Sequence, residues 1–160
     1  RSLVHWLDAQ GYRQISLIGV SLGSCIGALA YAFEPRIGKC ALLLTAGDFG
    51  EVVWTGRATS HIRKEIEKYV TFEQLREIWC IISPLTFVSR YRQDNRPMLI
   101  VSALYDKVVL YRSVKIFVDE LREAKAKLTW RVLPCGHYTL GKLPFSVVAL
   151  GLTARFLMRR

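Results

Sequence analysis

The chain has 160 residues, of which 51% are apolar, with charged residues throughout and no repeat or low-complexity tract. One domain with a sizeable core is expected, and disordered, collagen-like and disulfide-framework classes are excluded. The net charge of +10 is concentrated in the last third, but no interleaved aromatic platform or reading helix accompanies it, so a solvated basic face is expected rather than a nucleic-acid interface.

In chain order, the first expected element is a helix over 2–10, ended by Gly11. An apolar run, Ile15-Ser16-Leu17-Ile18, begins a strand over 15–20. It leads straight into Gly19-Val20-Ser21-Leu22-Gly23, which opens a helix over 22–33 rich in small residues. A strand turning sharply into a helix at a glycine-flanked serine holds that hydroxyl at the end of a sheet, where a base and a carbonyl can reach it. Gly19 is read as a turn position too tight for a side chain, and Gly23 as the residue that lets the helix lie close to its strand.

A strand over 40–46 follows, then an insertion over 48–95. Within the insertion, Thr71-Phe72-Glu73-Gln74 is a capping box, and Leu75, Ile78, Trp79 and Ile82 recur at helical spacing. The remaining elements are a strand over 97–104, a helix over 111–126, a strand over 128–134 and a final helix over 143–158. Alternating strands and helices predict an α/β fold, a parallel sheet with helices on both faces. The longest apolar stretch, Leu143 to Ala154, is too short to span a bilayer, so no stable membrane insertion is expected.

A serine nucleophile needs a base, and the base needs a group to orient it. His137 follows the strand over 128–134 in the turn Pro134-Cys135-Gly136, and Asp106 follows the strand over 97–104. Both lie just past strand C-termini, which share one rim in a parallel sheet. Asp48, at the end of the strand over 40–46, is the alternative acid. Cys25, Cys40, Cys80 and Cys135 show no metal-ligand or paired spacing and read as reduced, which favours the cytoplasm.

The Gly19–Gly23 pentapeptide, the segment from Arg96 through Asp106 to Val109, and Gly136-His137 together resemble the C-terminal half of an α/β-hydrolase. More narrowly, the chain is similar to bacterial dienelactone-hydrolase and prolyl-oligopeptidase-like proteins. The chain order Ser, Asp, His matches that superfamily. The resemblance implies a serine hydrolase acting on a small ester or acyl compound, with no cofactor and no metal. The triad would be Ser21, Asp106 and His137, with the N–H of Leu22 as one oxyanion donor. The insertion would be a cap, with Phe49, Trp54 and Trp79 as walls of a substrate pocket. Such proteins have about four strands before the serine turn, whereas Ser21 lies near the start here. The expectation is therefore a missing N-terminal half, or a second copy, pairing at the 15–20 strand edge, and a second oxyanion donor, normally on an earlier strand–helix loop, outside this chain.

Overall fold

A computed structural model describes residues 2–92 and 95–159. Residues 93 and 94 of the expected insertion lie outside them. Helix α1 (Ser2–Ala9) precedes β1 (Ile15–Val20), α2 (Leu22–Phe33) and β2 (Ile37–Leu43). After the insertion come β3 (Met98–Ala103), α7 (Tyr111–Glu123), β4 (Leu128–Leu133) and α8 (Phe145–Met158). Among its described residues the insertion carries four short helices, α3 (Phe49–Thr55), α4 (Ser60–Ile66), α5 (Phe72–Trp79) and α6 (Val88–Arg92), joined in part by 3-10 turns.

The four strands form one parallel sheet in the order β1-β2-β3-β4. Val20 pairs with Leu43, Leu43 with Val101 and Ala103 with Leu133, so all four C-terminal ends reach a common rim. Side-chain alternation divides the core. Cys40, Leu42, Met98 and Ile100 face α2 and α7, where Ala28, Tyr31, Phe117 and Leu121 are buried. Ala41, Leu43, Leu99 and Val101 face α8 and pack with Ala149, Phe145 and Phe156. Buried on both sides, β3 and the Cys40–Leu43 part of β2 are near-continuous apolar runs, as parallel central strands require.

Strand β2 corrects one expected boundary, since it starts at Ile37 and ends at Leu43 rather than spanning 40–46. Gly38 and Lys39 lack the apolar signature, yet Lys39 pairs with Ser16 and its ammonium reaches the carbonyl of Leu157. The strand stops because Leu44 turns to a φ of 56°. Residues 44–48 remain buried although they are irregular.

In the insertion, the capping box at Thr71 forms in both directions with Gln74. The helix ends at Trp79, and Ile82 falls in the following 3-10 turn. Only Leu75 of that apolar set is buried, while Ile78 and Ile82 are exposed. The insertion is tied to the rim by two backbone bonds, Leu85 N–H to the Gly47 carbonyl at 2.9 Å and Arg57 N–H to the Lys107 carbonyl at 2.9 Å. Among the described residues, no helix is long and apolar enough to cross a membrane.

Candidate active site

Ser21 sits between β1 and α2 with φ 52° and ψ −122°, a conformation that costs a non-glycine residue about 1–3 kcal/mol. The surrounding backbone holds it there. Its N–H donates to the Leu43 carbonyl at 2.9 Å, and its carbonyl accepts from Ser24 N–H at 2.8 Å and from the Ser24 hydroxyl. Gly19 is required by close approach, because a Cβ there would lie 2.5 Å from the Gly23 carbonyl oxygen and 2.6 Å from Ser24 Cα. Gly23 departs from its expected role, since a Cβ there would meet nothing within 4 Å. Close helix–strand contact is made one turn later at Gly27, where a Cβ would lie 2.7 Å from Leu17 Cδ2.

The structure brings Ser21, His137 and Asp106 together although 116 residues separate the first two. Ser21 Oγ lies 3.0 Å from His137 Nε2, and His137 Nδ1 lies 2.8 Å from Asp106 Oδ2. An ionised carboxylate only accepts, so Nδ1–H donates to it and Nε2 is left to accept the serine proton. Asp106 Oδ1 accepts from Val108 N–H at 2.7 Å and Val109 N–H at 2.9 Å, which fixes the carboxylate in its loop. The loops after β3 and β4 are tied to each other by Tyr105 N–H to the Cys135 carbonyl at 2.9 Å. The side chains of Asp106 and His137 are 2% and 10% exposed, so the pair is shielded while the serine remains reachable.

Asp48, the alternative acid, is engaged elsewhere. It caps α3 by accepting from Glu51 N–H at 2.9 Å and pairs with the Arg76 guanidinium at 2.5 Å. Leu22 opens α2, and at that first helical position its N–H has no acceptor within the helix.

Two cavities meet at His137. One, of about 450 Å³, is apolar and is lined by Val20, Ser21, Leu44, Leu140 and Leu150 among others. The other, of about 430 Å³, is lined by Arg57, Tyr105, Lys107, Val108 and Tyr138 but not by Ser21. Phe49, Trp54 and Trp79 line neither. Phe49 packs on Trp79 and Trp54 on Phe72, each with ring centroids 5.6 Å apart. The insertion reaches the site through Arg57 and Ala58 instead. Sequence reasoning missed both, because tertiary contacts with Lys107 and Val108 bring that turn to the rim.

Cys25, Cys40 and Cys135 are buried free thiols. Burial raises all three, and the Cys40 thiol is pushed up to about 12. Among the described residues, no group of three His, Cys, Asp or Glu could hold a metal ion.

A parallel sheet with a strained serine after β1, an acid after β3 and a histidine after β4 is the α/β-hydrolase arrangement, and the fold of this chain is a partial α/β-hydrolase fold. Solved structures bear out the fold. The chain is similar to the Pyrococcus horikoshii acylaminoacyl peptidase with a TM-score of 0.78 and 13% identity, over 99% of this chain and 26% of that one. It is similar to a Mycobacterium tuberculosis puromycin-hydrolyzing peptidase with a TM-score of 0.73 and 15% identity, over 97% and 23%. A hydrolase from Pseudomonas aeruginosa PA01 has a TM-score of 0.60 and 17% identity, over 99% and 70%. The chain thus spans about a quarter of the length of the two peptidases. No family model matches the sequence, and no curated protein matches it.

Proposed function

We propose that this chain carries the nucleophile, base and acid of a serine hydrolase that cleaves carboxylic esters through an acyl-enzyme. The observation behind this reading is the continuous line Ser21–His137–Asp106, with contacts of 3.0 and 2.8 Å. His137 Nε2 takes the hydroxyl proton as Ser21 Oγ bonds to the ester carbonyl carbon. The imidazolium, stabilised by Asp106, then gives that proton to the leaving oxygen as the carbon–oxygen bond breaks. Water, deprotonated by the same imidazole, releases the acid and restores the serine.

The oxyanion formed at each stage faces the N–H of Leu22. A second donor is expected from a loop outside this chain, carried near the edge of β1, which among the described residues pairs with β2 alone. Without it, the rate falls by about 100- to 1000-fold. Peptide cleavage would use the same three groups, and the names of two similar structures make it the second reading for the bond attacked.

Hydrolysis of p-nitrophenyl butyrate tests the proposal. Turnover is expected in the wild type and absent in Ser21→Ala. Undiminished turnover in that variant removes Ser21 from the chemistry. A non-enzymatic role, binding a partner at the β1 edge, is favoured by a separate observation: Ile18 and Val20 on that strand are exposed. Size-exclusion chromatography with hydrogen exchange distinguishes it, as a monomer with a fully protected β1 contradicts edge pairing.

A further inference from the structure

The cavity beside His137 that excludes Ser21 has two basic residues, Arg57 and Lys107, in its lining. Gly56 lies so close to the loop after β3 that a Cβ on it would be 2.6 Å from the Val108 carbonyl oxygen. The next residue, Arg57, donates its N–H to the Lys107 carbonyl at 2.9 Å. These backbone contacts bring two exposed basic residues, Arg57 and Lys107, into the lining of one cavity. Among the described residues no carboxylate lines this cavity or pairs with Arg57 or Lys107; the nearest in sequence, Asp106, is hydrogen-bonded to His137, Val108 and Val109. Two exposed cations lining one cavity raise the local concentration of anions there and can hydrogen-bond a carboxylate. The exposed rings of Tyr105 and Tyr138 complete the wall.

The position of His137 says which part of a substrate enters. In an acyl transfer, Nε2 hands its proton to the leaving oxygen, so the leaving group lies against the imidazole. The apolar cavity that contains Ser21 is left for the acyl group. Resting on the serine-hydrolase reading above, we propose that the Arg57–Lys107 cavity is a leaving-group subsite for a carboxylate, and that the substrate class is hydroxy acids acylated on their hydroxyl group. The carbonyl–oxygen bond breaks, the Nε2 proton goes to that oxygen, and a free hydroxy acid departs from the cationic wall.

The test compares charge at constant shape. Binding of 4-hydroxybenzoate and 4-hydroxybenzamide to the whole chain is titrated at low salt, following ring resonances of Tyr105 and Tyr138. Hydrolysis of 4-acetoxybenzoate and its methyl ester is compared in parallel, each corrected for its hydroxide-catalysed rate. The carboxylate is expected to bind more tightly. Arg57→Gln and Lys107→Gln each reduce that preference by about two- to fivefold, as expected for exposed charge pairs. The double variant abolishes it, whereas Lys64→Gln, an equal charge loss outside the cavity, keeps it. An absent preference, or one that survives the double variant, overturns the proposal. Fluorophosphonate labelling of Ser21 separates the two layers. Labelling without a carboxylate preference overturns the subsite alone, whereas a carboxylate preference without labelling overturns the hydrolase reading and leaves an anion site.

Discussion

Replacing Gly19 with alanine adds one methyl group at the tightest point of the serine turn. That carbon would stand 2.5 Å from the Gly23 carbonyl oxygen and 2.6 Å from Ser24 Cα, both backbone atoms without a rotamer to change. Ordinary contact begins near 3.4 Å, so the turn must open by roughly 0.9 Å, an overpacking cost of about 1–3 kcal/mol. In a chain of this size, that lowers Tm by about 3–10 °C. The serine is displaced by a similar distance from His137 Nε2, now 3.0 Å away. A misplacement of about 1 Å costs on the order of 100-fold in rate. The assay is the rate of fluorophosphonate labelling beside thermal unfolding, with Gly23→Ala as the internal control. A Cβ at Gly23 meets open space on the first turn of α2, so that variant is expected to label normally and gain up to about 1 kcal/mol. Wild-type labelling and an unchanged Tm in Gly19→Ala would refute the close-approach argument.

Asp106→Asn is expected to lower ester turnover by about 10⁴-fold, because an amide cannot hold His137 in the required tautomer. Asp48→Ala leaves the rate nearly intact and costs about 1 kcal/mol through the lost α3 cap, so a chemical denaturation series beside the kinetics separates the two acids. Acid stability depends on Glu34, whose carboxyl is held at about 2 by hydrogen bonds from the Arg36 guanidinium at 2.8 and 2.7 Å. This stabilisation is complete above the ordinary value of 4.5 and is lost as pH falls from 4.5 towards 2. Urea midpoints measured from pH 2 to 6 should therefore fall less steeply in Arg36→Gln than in the wild type, and parallel curves would exclude the pair.

The parts that were legible in the sequence share a physical origin. Ser21, Asp106 and His137 stand just beyond apolar runs, and a parallel sheet gathers strand ends on one rim whatever their separation along the chain. The capping box at Thr71 was legible because it is a local exchange of hydrogen bonds with Gln74. What was not legible depends on tertiary contact. The start of β2 runs through Gly38 and Lys39, which belong to the strand only by pairing with β1. Gly23 is identical to Gly19 in composition, and only the path of α2 shows that Gly27 makes the close contact. The aromatic rings of Phe49 and Trp79 satisfied each other rather than the cavities, while Arg57 reached the site through tertiary contacts with Lys107 and Val108 that no local pattern announces.

The most direct measurement is covalent modification of the whole chain by a fluorophosphonate, with the modified residue mapped by mass spectrometry in the wild type and in His137→Gln. The hydroxyl of Ser21 is expected to carry the phosphonate, and its rate of modification should collapse when the imidazole is removed. Modification at another residue, or reaction at Ser21 undiminished in His137→Gln, would contradict an imidazole-activated serine.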